Sequence, residues 1–439
     1  MLPRPVDLDM SAPETSYDPL IPVPAGQRVF TQRDAFALWF SLGIGLLVLQ
    51  AGAFLVPALS LGMAFGAILV GSLLGVLLLA CVGVIGADTG LASMAMLRPS
   101  LGLRGAALPT LLNIVQLVGW GSFEIIVMGE AADALAKSAF GITLPYVWTV
   151  LFGALATGIA FAGPVSFVRR FLRAWGLYLL LAAALWLTWR LLANHNLREL
   201  FSREGTGGMS FGGAVDLVAA MPLSWLPLIC DYSRFGRSAG GVFRGTVLGF
   251  LVANIWFYGL GAAYALASNG EGTLIVALAT AGGGLALLLI LLDETDNAFA
   301  DIHSAAVSSG TLARVSVRGL SLGFGALCTL VALLVPMAQY EGFLLIIGSV
   351  FAPLFGVVLA DHFIVRRRTV QHAEIDRMGG AYWFAGGWRV AGLVAWAVGI
   401  ATFQLVAAYL PGLGSTLPSL IVAGALFALL ARLEAGRVA

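Results

Sequence analysis

A chain of 439 residues that is 59% apolar, only 11% charged and carries a net charge of +1 has too little polar surface for a water-soluble domain. Its mean hydropathy of +0.94 places it in a lipid bilayer. Its basic residues are spread over many loops and form no single patch, so a nucleic-acid partner is excluded as well.

The head, residues 1–35, begins MLPRPVDLDMSAPETSYDPLIPVPAG and lacks a basic segment leading into an apolar one. It reads as a cytoplasmic tail, neither a cleaved signal peptide nor a span. A hydrocarbon core of about 30 Å needs roughly 20 apolar residues per helix. About twelve such runs follow, near 36–58, 63–87, 105–132, 144–164, 174–193, 211–230, 243–268, 283–303, 319–337, 341–363, 387–409 and 415–432. The expectation is an all-α polytopic membrane protein. With the N-terminus inside, the inner segments hold about 20 of the 24 Lys and Arg residues, leaving Lys137, Arg190, Arg198 and Arg203 outside. Both termini are therefore expected in the cytoplasm, and the short loops suit a bacterial inner membrane.

In the first span, LLVLQAGAFLVPAL combines Gln50, Gly52 and Pro57, a polar amide beside residues that weaken a helix. In the third, VGWGSFEIIVMGE puts Trp120 and Glu124 four residues apart and so on one face, with Gly119 and Gly121 leaving room beside them. An aromatic face next to an acid suits a flat, nitrogen-rich molecule; taken alone, Trp120 reads equally as packing and Glu124 as an interhelical hydrogen bond. In the sixth, MPLSWLPLICDYSRF sets Pro222 and Pro227 around Trp225 and ends in Asp231 and Arg234, an inner-interface ion pair or cap. The first and sixth spans are five apart. Broken helices at corresponding positions of two five-helix halves are the sequence pointer to an inverted-repeat transporter.

The eighth span carries LLDETDNAFADIHSAA, with Asp293, Glu294, Asp296 and Asp301 directly after an apolar run. If its helix began at Thr273, the acids would merely cap its inner end. Gly282, Gly283 and Gly284 interrupt the run, however, and a start near Gly283 puts Glu294 roughly 17 Å deep. On that helix Asp293, Asp296, Asn297, Asp301 and Ser304 share a face with Glu294 at its border. Such a stripe must face protein or a wet cavity. Glu294 and Asp296 lie roughly 160° apart around the axis, so they serve different partners. Asp293 and Asp301 read as caps or interhelical contacts. In the tenth span, GSVFAPLFG offers Pro353 as a hinge or an ordinary kink.

The segments RDAFALWFSLGIGLLVLQAG, VGWGSFE, WLPLICDYSRFGR, DETDNAFADIHSAAVS and GSVFAPLFGVVLADHF together resemble the nucleobase:cation symporters, the family of cytosine, purine, allantoin and hydantoin permeases. DETDNAFADI looks most like the hydroxymethylpyrimidine permease branch, associated with thiamine-precursor salvage. The resemblance runs from about Arg33 to Asp361, with the last two spans fitting by count. It implies the leucine-transporter fold, a 5+5 inverted repeat plus two extra helices, which divides the chain into 1–35, 36–193, 194–363 and 364–439. It also implies sodium- or proton-driven uptake. Carried across, the substrate contacts would be Gln50, Trp120, Glu124, Trp225, Glu294 and Asn297. The coupling ion would lie near Leu46, Leu49, Thr295 and Asp296. Glu124 departs from the amide of hydantoin-type members, and Glu294 and Asp296 add acids that a sodium-coupled pattern does not require.

Independently of that family, an aminopyrimidine offers two faces for Trp120 and Trp225 and an edge that pairs with a carboxyl or amide, supplied by Glu124, Gln50, Glu294 or Asn297. One of Glu124, Glu294 or Asp296 is alternatively the carrier of a coupled proton. Cys81, Cys230 and Cys328 fall in separate spans, and the four histidines are scattered. With no HExxH, CxxC or phosphate-binding loop, an enzyme and a resident cofactor are not expected. The partners expected are lipid and a small heterocycle, with no obligatory protein partner. A passive channel lined by the acid stripe is the remaining rival.

Overall fold

The computed structural model describes residues 20–162, 177–268, 284–313 and 315–438. Its principal helices are α1 (Gln32–Ser41), α2 (Leu46–Ala53), α3 (Leu61–Thr89), α4 (Ala107–Phe140), α5 (Pro145–Ala162), α6 (Leu177–Asn194) and α7 (Phe211–Ser224). They continue with α8 (Ile229–Ser233), α9 (Ala239–Ala267), α10 (Gly284–Gly310), α11 (Val317–Leu334), α12 (Tyr340–Leu359), α13 (Val390–Tyr409) and α14 (Thr416–Val438). Each expected span has its helix, the first and sixth being divided into α1 with α2 and α7 with α8. Eight described helices are long and apolar enough to cross a membrane, and the bent pair α1 and α2 makes a ninth. Among the rest, α7 is short because its span is broken, and α10 carries the acids.

The first span starts cleanly and then stops. Thr31 caps α1 reciprocally with Asp34: the Thr31 hydroxyl accepts the Asp34 N–H at 3.3 Å, and the Asp34 carboxylate accepts the Thr31 N–H at 2.9 Å. After Ser41 the chain leaves the helix through Leu42–Gly45 and re-enters it at a 58° bend. Two glycines within four residues remove the helical preference there. The break therefore lies upstream of where Gln50, Gly52 and Pro57 placed the weakness, and α2 runs unbroken through Gln50 and Gly52. Gly52 has a packing role. A Cβ on it would strike the Tyr258 backbone of α9, and one on Gly261 would strike the Leu49 carbonyl, so α2 and α9 meet backbone to backbone.

In the sixth span, Ser210 caps α7 through the Gly213 N–H at 3.0 Å, and Pro222 falls in the last turn. Pro227 has no N–H to continue the ladder, so Trp225–Leu228 connects α7 to α8. Both interruptions expected of an inverted repeat are present.

α10 packs against α4, α5 and α11 and touches α2, while α9 packs against α1, α2 and α3. Glu294 lies ten residues beyond Gly284, the first described residue of α10, a rise of about 15 Å along the helix. The segment GTLIVALATA, the earlier start at Thr273 and the Asp293 side chain lie outside what is described. α12 passes through Pro353 to Leu359 and ends in a π-helical turn, Ala360–Val365.

At the Arg-rich end, Asp361 of that turn accepts from Ser100 at 2.7 Å and pairs with Arg366 at 2.7 Å and Arg389 at 2.9 Å. Asp88, at the end of α3, holds Arg368 at 2.7 Å and His362 at 3.1 Å. Two acids thus fasten the loop after α12 to the first half of the bundle.

Candidate functional site

The acids of α10 close on the break in the first span. Glu294 is fully buried, and its Oε2 accepts the N–H of Leu46 at 2.8 Å. Leu46 opens α2, so this N–H is one that a helix cannot satisfy internally and sits at the positive end of the helix dipole. A Cβ on Gly45 would lie 2.9 Å from both Glu294 carboxylate oxygens, so the carboxylate reaches Leu46 only because residue 45 is glycine. Asp296, also fully buried, accepts from the Ser41 hydroxyl at 2.9 Å, and Ser41 is the last residue of α1. Two acids on one helix thereby hold the two ends of one interruption.

α4 supplies the facing wall. The Glu124 carboxyl is buried in side-chain contact with that of Glu294. One turn below it, Trp120 is 4% exposed and meets Tyr340 at 5.7 Å and Phe343 at 5.5 Å between ring centroids. Phe123 joins the same group, 5.5 Å from Tyr340 and 5.3 Å from Phe343. The Tyr340 hydroxyl reaches back to the Leu47 carbonyl at 3.4 Å, tying this aromatic group to α2. One further turn down α4, Gln116 donates to Asn113 at 2.9 Å and to the Ser224 carbonyl at 3.4 Å, where α7 ends.

Of the residues read from the sequence, Glu124, Glu294 and Leu46 come together directly. Trp225 sits at the other break, edge-on to Trp39 at 5.9 Å, in an aromatic group separate from that of Trp120. Asn297 and Thr295 are buried on α10, and Gln50 is half-buried on α2. Leu49 is buried with its carbonyl toward α9. Asp231 accepts from the Ser93 N–H at 2.9 Å, a contact between α8 and the segment after α3. No cluster of three His, Cys, Asp or Glu able to hold a metal ion occurs among the described residues.

Sequence reasoning missed Ser41, Gly45, Gln116, Tyr340 and Phe343. Ser41 and Gly45 were visible in SLGIG, two glycines in an apolar run. Tyr340 and Phe343 open their span, and nothing in the chain itself pairs them with Trp120.

Six side chains around this point bury a polar atom without a hydrogen-bond partner: Gln116 Oε1, Trp120 Nε1, Glu124 Oε2, Glu294 Oε1, Asp296 Oδ1 and Asn297 Oδ1. Each unsatisfied atom costs about 1–3 kcal/mol, and native interiors hold few of them. All six lie on α4 and α10.

A helical bundle with two broken spans, and a buried polar site where a third helix meets one of the breaks, is a multi-pass membrane transporter of the leucine-transporter fold. Residues 22–428 match the model of the permeases for cytosine/purines, uracil, thiamine and allantoin, and the chain belongs to that family. It is 25% identical over 396 residues to a hydantoin permease of Microbacterium maritypicum, covering 83% of this chain and 79% of that one. It is 27% identical over 410 residues to the cytosine permease of Escherichia coli K12, covering 89% of each. Its fold matches Mhp1, a nucleobase-cation-symport-1 family transporter in a closed conformation with bromovinylhydantoin bound, with a TM-score of 0.83, 22% identity and 95% of each chain covered.

Proposed function

We propose that this permease is a cation-coupled symporter that imports a pyrimidine-type heterocycle, with hydroxymethylpyrimidine, a thiamine precursor, as its substrate. The observation that carries the reading is the facing of Trp120 and Glu124 on α4 with Glu294 on α10, beside the broken first span and amid orphaned polar atoms. Trp120 and Trp225 stack on the heterocycle, and Gln50, Glu124, Glu294 and Asn297 pair with its polar edge. Asp296 and Thr295, with the backbone around Leu46 and Leu49, form the coupling side of the site. The cation is sodium or a proton, and gradients of each imposed separately on proteoliposomes identify it.

Alternating access follows from rocking of the repeats 36–193 and 194–363 about the two breaks, with 364–439 as the added loop and helices. The distribution of Lys and Arg supports cytoplasmic termini, and the short loops suit an inner-membrane location. Cytosine, another nucleobase or a hydantoin is the second reading, favoured by the relatives named cytosine permease and hydantoin permease.

Thermal shift of the purified protein against pyrimidines, purines, hydantoins and amino acids tests the proposal, because a ligand that binds only the folded state raises its stability by mass action. Stabilisation by the hydroxymethyl aminopyrimidine supports it. Stabilisation by an amino acid alone, or by nothing in the panel, rejects it.

A further inference from the structure

Gln116 is absent from every sequence-based assignment, yet it lies on the same face of α4 as Trp120 and Glu124 at four-residue steps. The three span about 12 Å along the helix, enough for a six-membered ring on Trp120 to reach a side chain at each end. The orientation of the Gln116 amide is fixed by its neighbours. Its Nε2 donates to the Asn113 side-chain oxygen and to the Ser224 carbonyl; a backbone carbonyl can only accept, which turns the NH2 group toward Ser224 and Oε1 away from it. Asn113 is held in turn by its donation to Ser308 at 2.9 Å. The result is a buried acceptor in a set orientation, with no partner of its own. Among the six orphaned atoms, the amide oxygens of Gln116 and Asn297 can only accept, Trp120 Nε1 can only donate, and the three carboxyl oxygens can do either according to their protonation. A ligand complementary to the two amide oxygens presents N–H groups to them; one that presents a carbonyl oxygen instead leaves Gln116 Oε1 unsatisfied and sets oxygen against oxygen.

We propose that Gln116 is a specificity-determining residue whose side-chain oxygen accepts from an exocyclic amino group, so that the site selects amino-substituted heterocycles over their oxo counterparts. This rests on the heterocycle transport proposed above and adds which edge is read. The same logic appears wherever a buried group is built to hydrogen-bond a substrate: an analogue without the matching donor leaves that group unpaired and is rejected.

The test uses two matched pairs, cytosine against uracil and 4-amino-5-hydroxymethyl-2-methylpyrimidine against its 4-oxo analogue, with binding measured on the purified full-length protein. At least one amino member binds about tenfold or more tightly than its oxo partner. In Gln116→Met, which keeps the length of the side chain and removes the acceptor, that ratio falls toward one through loss of affinity for the amino member. Ser308→Ala loosens the far end of the network without touching the acceptor, and its ratio stays within about twofold of the parent. Oxo members binding as tightly as amino members in the unaltered protein overturn the inference even if Gln116→Met fails to fold. So does a Gln116→Met variant that keeps the parent ratio, or a Ser308→Ala variant that loses it. If none of the four probes binds, the pyrimidine reading itself falls and the inference with it; if they bind without preference, only the role of Gln116 does.

Discussion

The backbone N–H of Leu46 donates to Glu294 Oε2 at 2.8 Å, so a carboxylate of the eighth span caps the helix that resumes the first. Gly45 makes this contact possible, because a Cβ there would lie 2.9 Å from both carboxylate oxygens. Its φ of 175° is ordinary extended backbone, so alanine at this position strains no torsion and acts only by pushing the carboxylate away. Gly45→Ala should therefore cost about 0.5–2 kcal/mol, the worth of a helix cap, and weaken substrate binding with it. Glu294→Gln keeps an oxygen able to accept from Leu46 and should hold the fold while altering substrate affinity. Thermal melts and binding isotherms of the two variants separate these effects; a Gly45→Ala protein with parental stability and affinity would count against the cap.

Much of this site could be read from the chain because membrane chemistry makes its parts conspicuous. Acids in an apolar run are costly in lipid, so Glu294, Asp296 and Asp301 announced a polar interior, and the Trp120–Glu124 spacing pointed to the facing wall. The sixth-span interruption was legible for the same kind of reason, since Pro222 and Pro227 bracket it. The first-span break was misplaced because Gln50, Gly52 and Pro57 looked like weak points, whereas the chain uses Gly52 to bring α2 against the backbone of α9. Gly43 and Gly45 carry the break, and an isolated glycine in a membrane span cannot be told from a packing glycine without its neighbours. Tyr340 and Gln116 were hidden for a related reason: their roles depend on which helix lies opposite, which periodicity does not encode.

The Asp296–Ser41 hydrogen bond holds the other side of the break, at 2.9 Å. If Asp296 transmits the state of the coupling site to α1, Asp296→Asn should bind and exchange substrate while losing gradient-driven accumulation. Ser41→Ala, which removes the hydrogen bond donated to Asp296, should show the same defect in weaker form. Counterflow and net uptake in proteoliposomes distinguish the two activities. Parental accumulation by both variants, at several pH values and with or without sodium, would leave the bond with a structural role only.

Trp120 is packed by Tyr340 and Phe343 as well as facing the proposed ligand, so two substitutions are needed to separate its functions. Stacking of a base on an aromatic side chain is worth about 1–3 kcal/mol, so Trp120→Ala should lower affinity roughly 5- to 150-fold. Trp120→Phe keeps a ring for both packing and stacking and should recover most of that loss. Equal affinity in the parent and in Trp120→Ala would remove this ring from the substrate site.

The Arg-rich end offers a prediction about stability that is independent of transport. Asp361 is fully buried between Arg366 and Arg389, whose side chains are 14% and 8% exposed, whereas Arg368, paired with Asp88, is 50% exposed. Charges in these two settings respond differently to loss of a partner. Replacing Asp361 takes from Arg366 its acid and leaves Arg389 only the half-exposed Glu434 as a charged partner, and breaking a buried ion pair from one side costs about 3–5 kcal/mol. An exposed pair is screened by water and worth about 0–1 kcal/mol. Asp361→Asn should therefore lower the thermal midpoint markedly, while Arg368→Gln should shift it little. Because Asp361 also accepts from Ser100, the loss should appear as loosening of the segment after α3, readable as faster amide exchange there. Comparable midpoints for the two variants would mean that water reaches Asp361 and that this end of the bundle is not closed as the structure has it.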